Sequence, residues 1–139
     1  MTDVSEVVAS HLLDERSATI RAVVACADTV ADDWDGGATT DRDLVVPPFE
    51  TTLREAGLPS ALADALAGAV DASGAELRAP PVPASPYVVV ASTGPVLRAT
   101  LPEGRLVVRL DVFAVERDGG VRYVRTGSEP RDVLDATLR

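Results

Sequence analysis

The run Pro80-Pro81-Val82-Pro83-Ala84-Ser85-Pro86 stands where the hydrophobic period of the chain changes, and it limits the fold more than any other feature. Four prolines in seven residues fix φ and remove N–H donors. Such a segment is neither a helix interior nor a central strand, and reads as a stiff, extended connector. What lies on either side must be built differently.

Before the connector, apolar side chains recur at helical spacing. Val4, Val7, Val8 and Leu12, then Ile20, Val23, Val24, Ala27, Val30 and Trp34, mark one long helix over residues 3–34, or two with a break near Asp14–Ser17. Gly36-Gly37 is a helix stop. A polar link then runs into Leu44-Val45-Val46 and Pro47-Pro48, followed by a short helix at Phe49–Ala56. A further helix at Pro59–Ala72 has proline in its first turn and Leu62, Leu66 and Val70 along one side.

After the connector the period becomes two. Tyr87–Ala91, Val96–Leu101, Leu106–Glu116 and Val121–Arg125 read as strands, joined at Thr93-Gly94, Pro102–Gly104 and Asp118–Gly120 into antiparallel hairpins. Ser128 is placed to cap a last short helix at Pro130–Leu138. The expected fold is α+β, with N-terminal helices packed on one face of a four-stranded antiparallel meander sheet and a short C-terminal helix. One domain, 1–139, accommodates this: residues 1–79 helical and acidic, 80–86 the connector, 87–139 the sheet and last helix.

Charge divides at the same place. Residues 1–79 hold 15 acids and 5 arginines, whereas residues 80–139 hold 7 acids and 8 arginines. The net charge of −9 therefore resides in the helices, and the sheet is mildly basic. All 13 bases are Arg, 14 of the 22 acids are Asp, and Lys, Asn and Gln are absent. This usage resembles that of halophilic archaeal proteins; high genomic GC would favour much of it as well. The resemblance implies work in molar salt, where screening acts within about 3 Å and net charge maintains solubility.

Alternation sorts the two faces of the sheet. One face, from Val88 and Val90 through Leu97, Ala99, Leu101, Leu106, Val108, Leu110, Val112 and Ala114 to Val124, is aliphatic and is the expected core. The other carries Tyr87, Val89, Arg98, Thr100, Arg109, Asp111, Phe113, Val115, Tyr123 and Arg125. Setting Leu101 opposite Leu106 around the Pro102–Gly104 turn would place Arg98 opposite Arg109. Like charges directly opposite destabilise a sheet, so an acid is expected between or over them. Asp111, a helix carboxylate, a partner chain or an anionic ligand could each supply it.

Chemistry is harder to find. Asp32-Asp33-Trp34-Asp35-Gly36-Gly37 has the look of a calcium loop, which needs oxygens at alternate positions, a glycine and a terminal Glu. Setting Gly36 as the glycine puts Ala31 and Arg42 where the first Asp and the Glu belong; setting Gly37 puts Trp34 at a ligand position. The stretch is expected to end a helix instead, with Trp34 anchored in the core. His11 and Cys26 are the only members of their types, and on a continuous helix they lie ~22 Å apart. No catalytic set, metal site or cofactor motif follows from these residues.

Within these bounds the expectation is a non-enzymatic interaction module that forms a homodimer through the outer sheet face, with Arg98, Arg109, Asp111, Phe113, Tyr123 and Arg125 as interface or ligand residues. The alternative is a small enzyme or binding protein for an anionic metabolite or nucleotide, with Arg98 and Arg109 clamping it and Asp111 as acid or base. Net charge argues against nucleic acid, which needs a basic footprint. No stretch reaches about 18 apolar residues, so no membrane span is expected. A lone cysteine and an acidic N-terminus without a basic-then-apolar leader suggest a cytoplasmic setting.

Overall fold

A computed structural model describes residues 3–139. The helical half begins with α1 (Val4–Glu15) and α2 (Ser17–Ala31), separated at Arg16, inside the expected break. Asp3 caps α1 by accepting the Ser5 N–H at 3.0 Å. Residues α3 (Val46–Glu55) and α4 (Leu58–Ala72) follow, divided by Gly57 in the left-handed region (φ 70°), with Pro59 in the first turn of α4.

The connector leads into β2 (Val88–Ala91), β3 (Gly94–Leu101) and β4 (Gly104–Leu110), an antiparallel meander. Here the chain departs from the expected pattern. The predicted third strand, Leu106–Glu116, breaks at Asp111-Val112, where the Val112 N–H bonds the Leu110 carbonyl at 3.0 Å in a three-residue turn. Its second part, β5 (Phe113–Glu116), pairs with β6 (Arg122–Arg125) in a separate sheet, completed by the two residues of β1 (Ala38–Thr39) in the order β1-β6-β5.

The fourth strand of the main sheet comes from the C-terminal end. α5 (Pro130–Val133) is a single turn, and β7 (Leu134–Leu138) pairs antiparallel with β4 to give the order β2-β3-β4-β7. The expected helix over Pro130–Leu138 is therefore mostly strand. Leu134, Ala136 and Leu138 alternate with Asp135 and Thr137, a period of two that the opening proline obscures. Glu129, rather than Ser128, caps α5, in a reciprocal box with Asp132.

The fold is thus α+β, with mostly N-terminal helices, a four-stranded antiparallel sheet, a small three-stranded one and a short C-terminal helix. Helices and sheets share one core, in which Phe49, Leu53, Leu62 and Leu66 meet Leu97, Leu106, Leu110 and Phe113.

Gly68 of α4 lies at the approach to α1. A Cβ there would meet His11 Nε2 at 3.4 Å and an Arg16 guanidinium nitrogen at 3.5 Å, both ordinary contacts. Its backbone is not in the left-handed region, so Gly68→Ala is expected to stabilise the protein by about 0.5–1 kcal/mol through helix propensity. Thermal melts of the pair would register this as a higher Tm.

Candidate functional site

The two faces of the main sheet are unlike. Leu97, Ala99, Leu101, Leu106, Val108 and Leu110 point inward and are buried, while Arg98, Thr100, Arg105 and Arg109 point outward and are exposed. On that outer face Thr93, Val96, Arg98, Arg105, Arg109 and Arg139 line an open groove of about 760 Å³. Val96, 6% exposed, is its apolar floor. An adjoining depression of about 310 Å³ shares Arg98 and Arg105 and adds Arg78 and Tyr87.

Register sets the spacing of these charges. Leu101 pairs with Gly104 rather than with Leu106, so the β3–β4 turn has two residues, Pro102 and Glu103. Arg109 consequently faces Val96, and Arg98 faces Val107. The expected direct opposition of Arg98 and Arg109 is corrected to a diagonal, which relieves the repulsion while keeping both on one face. Arg109 finds acid on either side: Asp135 of β7 at 3.1 Å and Asp111 at 3.6 Å. Among the described residues no carboxylate lies within ion-pair distance of Arg98, Arg105 or Arg139.

Asp111 occupies the break between the sheets. Burial lifts its carboxyl above the usual range; Arg109 pulls it down, Asp135 pushes it up, and a hydrogen bond with the Thr93 side chain pulls it down. A carboxyl raised in the folded state contributes stability below its unfolded pKa and loses it as pH rises through the folded value. Arg109→Gln removes a lowering influence. The Asp111 carboxyl should then titrate at still higher pH, visible in its side-chain carbonyl shift by NMR, and the loss of stability across the carboxylate range should deepen.

The remaining sequence-predicted residues lie elsewhere. Phe113 is 1% exposed, its ring centroid 5.1 Å from Phe49 in an edge-on contact and 5.5 Å from Trp34. Tyr123 is 8% exposed in the same core. Arg125 donates from Nε to Asp28 of α2 at 2.9 Å, and from its guanidinium to the carbonyls of Val112, at 3.0 Å, and Thr126. Its placement on the outer face is corrected along with that of Phe113 and Tyr123. The cause is the turn at Asp111-Val112, which reorients the pleat so that consecutive Val112 and Phe113 are both buried. Sheet alternation carried through that turn assigns everything beyond it to the wrong face.

The outer face also holds residues the sequence reading missed. Arg105 lies between the supposed turn and the supposed strand, and Asp135 and Arg139 in or beyond the supposed helix; two-residue hairpin counting and the alternation of 134–138 point to them. Trp34 is buried as expected, and its Nε1 donates to the Leu44 carbonyl at 3.0 Å. Gly36 and Gly37, at φ 68° and 75°, turn the chain away after α2. Cys26 is buried, and burial pushes its thiol up, away from thiolate chemistry.

These features define an α+β protein with one sheet face packed on helices and the other carrying an open arginine groove. Residues 6–139 match the family described as domain of unknown function DUF7988, and the chain belongs to that family. No curated protein and no solved structure matches it. Among the described residues no helix is long and apolar enough to cross a membrane.

Proposed function

We propose that this chain is a non-enzymatic binding module that holds a multiply charged anion, of the size of a phosphorylated metabolite or nucleotide, against the outer face of the main sheet. The observation that carries this reading is the group of arginines without carboxylate partners among the described residues, Arg98, Arg105 and Arg139, around one groove in a chain of net charge −9. Guanidinium forks offer paired donors to phosphate or carboxylate oxygens. The groove volume falls within the range of about 300–1,000 Å³ of small-molecule sites. Asp111 and Asp135 hold Arg109 in place at its edge. Pairing two copies through this face, the route the sequence suggests, would set the arginines against their own counterparts, and Phe113 and Tyr123 are not there to supply apolar contact. The overall acidity and the burial of those two rings also weigh against nucleic acid.

Calorimetric titration with inorganic triphosphate and with ATP, at low and at molar salt, tests this reading. The unaltered protein should bind at least one probe at low salt, and Arg98→Glu with Arg105→Glu should weaken binding by about a hundredfold, as expected for two reversed charge-assisted contacts. Arg131→Glu, on α5 away from the groove, should leave it unchanged. Absence of heat from either probe with the unaltered protein would sink the reading.

A further inference from the structure

The free edge of β2 is a second feature, independent of the arginine groove. β2 closes one side of the main sheet, since the order is β2-β3-β4-β7. The Arg98 N–H bonds the Tyr87 carbonyl at 2.9 Å, which sets the alternation of the β2–β3 ladder. The Tyr87 carbonyl and the backbone groups of Val89 and Ala91 therefore face β3, while Val88 and Val90 turn theirs outward; the Tyr87 N–H goes to the Ala84 carbonyl at 3.0 Å. The Val88 N–H is taken by the Ala84 carbonyl at 3.1 Å. That leaves the Val88 carbonyl and both backbone groups of Val90 facing a groove of about 570 Å³ between the strand and α3.

Natural sheets protect such edges with charge, proline or a bulge. β7, the opposite edge, carries Asp135. β2 reads Val-Val-Val-Ala, without charge, proline or bulge; the connector covers its edge at Val88 through Ala84, and the edge at Val90 is open to a further strand.

We infer that the occupant is β2 of a second copy, paired antiparallel about a two-fold axis centred on Val90 to form a continuous eight-stranded sheet. Val90 of each copy then donates its N–H to the Val90 carbonyl of the other. The charges on α3 favour this occupant over an unrelated strand. Glu50 and Arg54, one helical turn apart, are both exposed and both line the groove, and neither has an ion-pair partner among the described residues. A two-fold axis through the β2 edge sets the two α3 helices antiparallel beside it, which brings Glu50 of one copy toward Arg54 of the other, and the reverse. The surface is thus self-complementary in charge as well as in hydrogen bonding. The arginine grooves of the two copies end up side by side rather than face to face.

Molar mass by light scattering over a concentration series, at low and molar salt, tests the inference. The unaltered protein should dimerise. Val90→Pro removes the central donor and should leave a monomer. Glu50→Arg and Arg54→Glu should each weaken the dimer by about tenfold or more. An equimolar mixture of those two variants should regain it, because both cross-axis contacts become Arg–Glu, whereas a folding defect would not be repaired by mixing. A monomer at every concentration would overturn the inference. So would a dimer that withstands both charge reversals and gains nothing on mixing. Anion binding by Arg98 and Arg105 is measured separately and does not depend on either outcome.

Discussion

Phe113→Ala is expected to cost about 3–5 kcal/mol of stability, the range for emptying a buried aromatic position. Phe113 is 1% exposed and joins two aromatic contacts, with Phe49 and Trp34, each worth about 0.5–1.5 kcal/mol beyond simple burial. It is also the first residue of β5, where the small sheet docks on the helices. For a chain of this size a loss of that magnitude lowers Tm by on the order of 10 °C. Denaturant unfolding should show a lower midpoint at unchanged slope, since the fold itself is retained. The measurement separates two placements of one residue. On an exposed sheet face the same change would fall within about 0.5 kcal/mol. A small effect would return Phe113 to the surface and revive self-association through that face.

What the sequence makes legible follows the range over which each pattern acts. Helices α1 to α4 are readable because their apolar spacing and their stops, Gly36-Gly37 and Gly57, are local. The core face from Val88 to Leu110 is readable for the same reason: a turn shortened or shifted by one residue on each strand moves the register by two, which preserves the face. Arg98, Arg109 and Asp111 therefore stand together on or beside the outer face, as alternation expects, with Asp111 paired to Arg109. Alternation fails at Asp111-Val112, because a strand-rich run such as Leu110-Asp111-Val112-Phe113 carries no glycine or proline to announce a turn. The turn is imposed from a distance: the Thr93 carbonyl accepts the N–H groups of both Val112 and Phe113, at 2.9 and 3.0 Å, and the Val133 carbonyl accepts that of Asp111 at 2.8 Å. Partners 19 and more residues away cannot be read from local period. The same holds for β1, whose two residues are a strand only because β6 lies beside them.

Gly94→Ala probes the imposed turn from its other side and is expected to be the more damaging substitution. Gly94 opens β3 directly after the Ser92-Thr93 tip that holds Val112 and Phe113, and its φ is 139°, a conformation side chains rarely adopt. A Cβ there would collide with the Leu110 carbonyl oxygen and crowd the Val112 side chain at 3.2 Å. The carbonyl is backbone at the end of β4 and accepts the Val112 N–H at 3.0 Å, so it cannot rotate away without breaking the turn at Asp111-Val112. Gly119 provides the control, since it too has positive φ, 75°, yet a Cβ there would meet nothing within 4 Å. Gly119→Ala should cost only the backbone strain, about 1–2 kcal/mol. Gly94→Ala should add the displacement of the tip and with it the turn that divides the sheets, for a total above about 4 kcal/mol, at which the variant unfolds or accumulates partly folded. Hydrogen exchange would locate the damage: protection should fall first at Val112 and Phe113, whose N–H groups rest on Thr93, and last in the α1–α4 core. Equal losses for the two glycine variants would show that the β2–β3 tip does not hold the turn.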